Sequence, residues 1–355
     1  MEDLSRINVR RMEIAAALGE PDQVPISLII DANWLSKAYG VRERALYVCP
    51  DRLLDLQLRA RKRFRGLVSV KPDLGIVIEP SALGCRIVWP EDGPPWVVPS
   101  IRTPEDVDRL KVPDPLRDGL MGKCLEIYEC MKDRVKELGL NFKVSPPMSA
   151  KGPFTVAGLS AGIERMMAWV RNSPDVADKL VKKCAETQVA WAQAQLDAAG
   201  EKTPLFVGDD YSGFISPNNF KRFTLPYLRE FFSRFKHPLN IYHNDAPTNH
   251  LLDLVGELGA PIFHLGPSDM VSLKEAKRRL GGKLCLMGGV HPTKTMLTGT
   301  AAYVERECAE SIAIAGVGGG FILAPAGTTS KGIPPENIDA IINAAEKYGR
   351  YPITP

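Results

Sequence analysis

Pro238-Leu-Asn-Ile-Tyr-His243-Asn-Asp245 is an apolar run that ends abruptly in polar and ionisable groups. Leu239, Ile241 and Tyr242 carry the β-propensity, and the Phe-Lys-His-Pro that leads into them reads as a turn. His243 and Asp245 are two residues apart, so extended geometry points both side chains to one face. An imidazole and a carboxylate together at a strand's carboxyl end suit metal ligation or an oriented acid–base pair. The same two groups also serve, in many strands, only to satisfy neighbouring backbone.

Outward from this strand the chain keeps a regular rhythm. Strands are expected at Phe142–Ser145, Pro204–Gly208, Pro261–Leu265, Lys283–Met287 and Gly320–Leu323. Between them lie helical stretches at 153–168, 174–199, 217–235 (interrupted at Pro226), 247–258, 271–280, 300–315 and 335–348. Upstream, residues 4–19 read as a charged helix and Pro25–Ile30 as a strand buried on both faces. Pro50 opens a helix that continues to Arg65, Thr103-Pro104 starts another, and residues 118–137 form the next. Residues 66–100 break the rhythm: Leu67–Val70, Gly75–Ile78 and Arg86–Trp89 read as short strands, a β-rich excursion. Strand alternating with helix implies a parallel sheet. A count of about eight strands favours an α/β fold of the (β/α)₈ TIM-barrel type, one domain spanning 1–355. No Gly-x-Gly-x-x-Gly follows a strand; Gly316-Val-Gly318-Gly319-Gly320 precedes one and reads as a helix-to-strand loop.

Composition narrows the class. A length of 355 residues, 45% apolar and 25% charged content suit a globular enzyme. A net charge of +3, with no dense basic arm, argues against nucleic acid. Arg59–Arg65, the densest basic run, falls at a helix end, where cations suit the dipole. Seven scattered cysteines without Cys-x-x-Cys imply free thiols in a reducing cytoplasm. No signal-peptide pattern and no membrane-length apolar run is seen.

In a barrel, chemistry gathers at the carboxyl ends of the strands. Those ends offer Asp31, then Asp209 and Asp210, His243 and Asp245, His264, His291, and Ala326-Gly-Thr-Thr329. Three of the five histidines thus reach one rim, while His237 and His250 fall elsewhere. His264, closing Pro-Ile-Phe, also reads as a core histidine.

Glu79-Pro-Ser-Ala-Leu-Gly-Cys85, Thr103-Pro-Glu-Asp-Val-Asp-Arg-Leu with Val112-Pro-Asp-Pro, Gly152-Pro-Phe-Thr155 and Asp209-Asp-Tyr-Ser-Gly-Phe-Ile-Ser-Pro217 form a set with His243-Asn-Asp245, Met287-Gly-Gly-Val and Gly332-Ile-Pro-Pro-Glu-Asn337. In these stretches the chain resembles the uroporphyrinogen decarboxylase superfamily, which includes cobalamin-dependent methyltransferases. The resemblance spans roughly residues 50–350 and implies the same (β/α)₈ barrel. Decarboxylases of the superfamily carry an Arg-rich segment that grips porphyrinogen carboxylates. Here Ile30-Asp-Ala-Asn-Trp-Leu-Ser-Lys-Ala-Tyr39 has no arginine, which argues against a tetrapyrrole substrate. Thiol-alkylating relatives hold zinc with His-x-Cys and a later Cys. This chain has His243 with Asp245 in place of the first cysteine, and no cysteine near Ala324-Pro-Ala-Gly327.

Fewer thiolates leave zinc a stronger Lewis acid, suited to polarising an ether oxygen. The resemblance therefore implies an O-demethylase: a methyltransferase that moves methyl from a methoxylated, plausibly aromatic, small molecule to Co(I). The cobalamin would be carried by a partner corrinoid protein docked over the barrel mouth. His243 and Asp245 are the expected zinc ligands, with Asp209, Asp210 or His264 completing the set and acting in catalysis. Trp34, Met148, Tyr211, Tyr242 and His291 are the expected substrate-binding residues, although aromatics and Met also serve as plain core. Alternatives are methyl transfer from a methyl-corrinoid protein to a thiol or folate, and a metal-free decarboxylase-like lyase with Asp209 stabilising charge and His243 donating a proton. A non-catalytic partner of a corrinoid protein fits poorly with so many ionisable rim groups. A homodimer is compatible with the sequence.

Overall fold

The N-terminal helix, Leu4–Ala16, is tied down by one residue. In the computed structural model, which describes residues 4–147 and 149–354, the buried Asn8 amide bonds both ways to Ile26. Its Nδ2 donates to the Ile26 carbonyl at 2.7 Å, and its Oδ1 accepts from the Ile26 N–H at 2.9 Å. That anchor swings Met12, Ala15 and Leu18 under the start of the sheet, where they pack with Ile241, Ile262, Cys285 and Ile322. The helix thereby seals the amino-terminal end of the barrel and leaves the carboxyl end as the mouth.

Residues 86–98 stand apart as a hairpin, β1 (Arg86–Val88) antiparallel to β2 (Trp96–Val98). The main sheet is parallel and runs in sequence order: β3 (Phe206–Gly208), β4 (Ile241–Asn244), β5 (Ile262–Leu265), β6 (Cys285–Val290) and β7 (Phe321–Pro325). Extended segments continue the ring at both edges. Beside β7, Ser27 N–H donates to Leu323 and Leu323 N–H to Pro25. Beside β3, Ala150 N–H donates to Phe206 and Gly152 N–H to Gly208. Residues 68–70 fill the remaining place through Ser145 N–H to Val70, and Lys71 reaches Asp31 of the first segment at 3.7 Å. The β4 strand therefore occupies the fifth barrel position, as expected.

Alternation along each strand separates two cores. Ile241, Ile262, Met287, Ile322 and Ala324 point inside the barrel, while Tyr242, Phe263, Leu286, Phe321 and Leu323 join the larger layer between sheet and helices. Each of the Ile, Leu, Met and Phe side chains contributes about 1.5–3 kcal/mol on burial.

Some expected boundaries move. Gly75–Ile78 is not a strand; Ile78 opens a short helix, Ile78–Ala82, and beyond the barrel segment at 68–70 the excursion keeps the β1–β2 hairpin. The stretch 153–168 is two helices, Pro153–Ala161 and Ile163–Asn172, because Gly162 at φ +87° breaks the spiral. The third barrel segment runs on beyond the expected 142–145, from Ser145 beside Val70 to Ser149 beside Phe206, which carries Lys151 to the rim. Helix 247–258 shrinks to a 3₁₀ turn, Asn249–Leu251, and Leu252–Val255. The helix at Thr103 starts where expected, and Thr103 closes a capping box with Asp106. Among the described residues no helix is long and apolar enough to cross a membrane.

Candidate active site

Register fixes which side chains share the mouth. Gly208 pairs with His243, and His243 pairs with His264, so all three face the interior one level above Ile241 and Ile262. The His243 ring is 6% exposed and lies against Phe206 and His264, with centroids 5.3 and 4.5 Å away. Its Nδ1 is 3.2 Å from the His264 carbonyl oxygen. That oxygen only accepts, so Nδ1 carries a proton and, in the neutral ring, Nε2 is the nitrogen left to bind a cation.

The free Nε2 faces two carboxylates, Asp210 Oδ1 at 3.6 Å and Asp245 Oδ2 at 3.9 Å. The three atoms lie within 4.8 Å of one another. His243 Nε2 is too far from either carboxylate for a hydrogen bond, and the two carboxylates, which interact with each other, repel when both are ionised unless a cation stands among them. Ligand atoms at about 2.0–2.2 Å from a tetrahedral zinc stand roughly 3.3–3.6 Å apart. The nitrogen and oxygens found here fit a divalent ion by chemistry; the His243–Asp210 separation of 3.6 Å meets that spacing, and Asp245 at 3.9 Å would draw in by a few tenths of an ångström. Partial burial and the Asp210 charge both raise the pKa of Asp245, as expected of two carboxylates without a counter-cation.

A hydrogen-bonded layer behind the cluster sets these positions. Asp245 N–H donates to Asp210 Oδ1 at 3.2 Å. Asn244, fully buried, donates from Nδ2 to the Asp209 carbonyl at 2.8 Å and accepts at Oδ1 from Ala246 N–H at 3.0 Å. Its Nδ2 also reaches Ser212 Oγ and Tyr242 Oη, both at 3.2 Å. One amide thus ties the loop that carries Asp210 to the loop that carries Asp245.

The other expected residues fall as follows. Asp209 turns away from the cluster: Oδ1 accepts from Thr155 N–H at 2.9 Å at the start of the Pro153–Ala161 helix. Burial pushes its pKa up to about 6, and its Oδ2 has no hydrogen-bond partner among the described residues. His264 does not complete the ligand set either. It is fully buried, Nε2 donates to the Pro325 carbonyl at 2.8 Å, and burial beside His243 holds its pKa well below the usual range. His291 is occupied as a helix cap, with Nδ1 accepting from Thr293 and Lys294 N–H and Nε2 3.3 Å from Asp269. Trp34 is core, donating to the Ile333 carbonyl and packed on Tyr39 and Phe64. Tyr242 is core too, stacked on Phe263 with its hydroxyl in the Asn244 network. Tyr211 is half-buried, its backbone N–H on Thr155 Oγ1 and its ring against Gly158. Met148 lies outside the described residues.

Asp209 needs a glycine opposite. A Cβ on Gly152 would stand 2.2 Å from Asp209 Cβ and Cγ. Gly152→Ala is expected to lower stability by about 1–3 kcal/mol, the usual cost of overpacking, measurable as a fall in thermal midpoint; an unchanged midpoint would contradict this packing.

Comparison with known proteins agrees with this architecture. The uroporphyrinogen decarboxylase (URO-D) family profile matches residues 11–348. A methylated-thiol–coenzyme M methyltransferase of Methanosarcina mazei is 27% identical over 285 residues, 79% of this chain and 73% of that protein. A uroporphyrinogen decarboxylase of Saccharophagus degradans is 24% identical over 347 residues, 93% of this chain and 95% of that one. The solved structure of a methyltransferase from Methanosarcina mazei superposes with a TM-score of 0.81 at 22% identity, covering 95% of this chain and 98% of the other.

Proposed function

The chain belongs to the uroporphyrinogen decarboxylase family, and from that premise we propose that it is a methyltransferase of the corrinoid-linked kind rather than a decarboxylase. The substrate is a small methyl ether, plausibly aromatic, and the acceptor is Co(I) carried by a separate corrinoid protein. The observation that carries the reading is the Nε2 of His243, its Nδ1 already bonded to the His264 carbonyl, set against the Asp210 and Asp245 carboxylates. A zinc ion held there would supply Lewis acidity toward an ether oxygen.

The chain's own residues prepare that chemistry. The His264 carbonyl holds the His243 ring in the tautomer that offers Nε2. Asn244 and the Asp245 N–H fix the two carboxylates at its sides. Phe206 and the buried His264 form an apolar floor that keeps water away beneath the site. The segment Ile30–Tyr39 lacks the arginines that a polycarboxylate tetrapyrrole needs, which disfavours porphyrinogen decarboxylation.

A methylated thiol is a second substrate class, favoured by the similarity to the methylated-thiol methyltransferase. Against it, the free cysteines are buried or lie outside the cluster, so no thiolate softens the ligand set. The test is metal analysis of the purified protein followed by methylation of cob(I)alamin with methoxylated arenes and dimethyl sulfide in parallel. Zinc near one per chain and turnover of the ethers is the expected result. Turnover of the sulfide alone would transfer the assignment to thioethers; neither zinc nor turnover would end the proposal.

A further inference from the structure

Lys151 is a cation that the barrel register brings to the same level as His243. The segment holding it runs parallel beside β3, with Ser149 bridged to Phe206 and Gly152 N–H on the Gly208 carbonyl. Lys151 is therefore level with Gly208, which is level with His243. Gly208 has no side chain to fill the interior, and the ammonium and the imidazole share the vacant volume. A Cβ placed on Gly208 would meet Lys151 Nζ at 3.3 Å and His243 Cδ2 at 3.7 Å. The backbone is fixed from behind, because the Lys151 N–H donates to Glu79 Oε1 at 2.6 Å and Glu79 is 2% exposed. Asp31 and Glu79 are the carboxylates whose fields reach Lys151. Yet among the described residues its Nζ makes no hydrogen bond or ion pair.

Resting on the methyl-ether reading above, we propose that Lys151 is a catalytic residue whose ammonium stabilises the negative charge that develops on the departing oxygen. When methyl leaves, the carbon–oxygen bond breaks and its electron pair stays on oxygen. The new bond forms between the methyl carbon and Co(I), whose two electrons supply it. The oxygen therefore gains a full negative charge beside His243, where a half-buried ammonium without a partner is poised to receive it. Such a preplaced charge acts mainly in the transition state, because the neutral ether offers it little. The substrate class this selects is an ether whose leaving oxygen lies between Lys151 and the His243–Asp210–Asp245 cluster.

The test compares wild type, Lys151→Met and Lys151→Arg, each checked for zinc content and thermal midpoint. They are assayed with cob(I)alamin against methoxyarenes whose parent phenols differ in acidity. Lys151→Met is expected to lose roughly 10²–10³-fold in kcat with KM nearly unchanged. The loss should grow as the phenol becomes a weaker acid, and Lys151→Arg should recover most of it. A second readout needs no turnover: 4-nitrophenolate, titrated by its absorbance, should bind wild type roughly 10–100-fold more tightly than Lys151→Met. Equal kcat in the methionine variant, or a loss independent of phenol acidity, overturns the role of Lys151 and leaves the methyl-ether reading intact. Wild type that demethylates no ether overturns both, since Lys151 then has no leaving oxygen to serve. If Lys151→Met does not fold, Lys151→Gln takes its place in the same comparison.

Discussion

His243→Ala should hold zinc at least about 10²–10³-fold more weakly and transfer no measurable methyl. Structural zinc sites are worth about 10–16 kcal/mol in apparent binding free energy. Loss of one of three protein ligands removes roughly 3–5 kcal/mol of that, a weakening of about 10²–10³-fold or more. Asp210 and Asp245 would then face each other without the nitrogen that completes the set. Their carboxylates remain 33% and 49% exposed, so water competes for any ion they retain. The protein itself should survive, because the ring is lined by Phe206 and His264 and contributes one hydrogen bond, Nδ1–H to the His264 carbonyl. Truncation of a buried side chain of this size costs about 2–4 kcal/mol. Zinc content after dialysis, read beside the thermal midpoint of the metal-free protein, separates ligation from folding. An alanine variant that keeps stoichiometric zinc would remove His243 from the ligand set, and with it the observation on which the proposed function rests.

Most of the barrel was legible because its strands are short apolar runs between strong stop signals. Pro335–Tyr348 and Pro174–Ala199 begin and end where proline and glycine predict. The N-terminal third was harder to read. There the barrel positions at 68–70 and 149–152 are held by only one or two backbone bonds each, so neither period nor length marks them strongly. Placing the third strand at 142–145 left Lys151 in a loop and hid its approach to His243. The His-x-Asp pattern did carry the pair to one face, as alternation requires. What it could not supply was orientation beyond the strand. Asp210 joins the cluster and Asp209 does not, because the Gly152 backbone leaves a seat for Asp209 at the head of the Pro153–Ala161 helix. His264 alternates in phase with His243 yet is sealed by the Pro325 carbonyl. The signal for Asn244 was present in plain view, between two residues already suspected, but an outward-facing amide in a strand carries no chemical mark of its own.

Asn244→Ala is accordingly expected to weaken zinc binding without removing a ligand. Groups that orient first ligands typically cost 10–100-fold in metal affinity when lost. Here the amide spans the two loops, from the Asp209 carbonyl on one to the Ala246 N–H on the other. Without it, the Asp245 N–H bond to Asp210 and the Asp209 N–H bond to the His243 carbonyl are left to hold their spacing. The Asp209 carbonyl still accepts from Ser212 Oγ at 2.7 Å, so the loop loosens rather than detaches. Stability should fall as well, by about 1–3 kcal/mol, because Ala246 N–H and Tyr242 Oη lose a buried partner. Tyr242→Phe distinguishes the two effects. It removes a hydroxyl from the same network but leaves both Asn244 loop bonds in place, so it should cost about 1 kcal/mol of stability and leave zinc affinity unchanged. Competitive zinc titration against a chelator, run on both variants with their thermal midpoints, gives the comparison. Equal zinc affinity in Asn244→Ala and wild type would show that the Asp210 and Asp245 loops hold their places unaided, and that the amide serves folding alone.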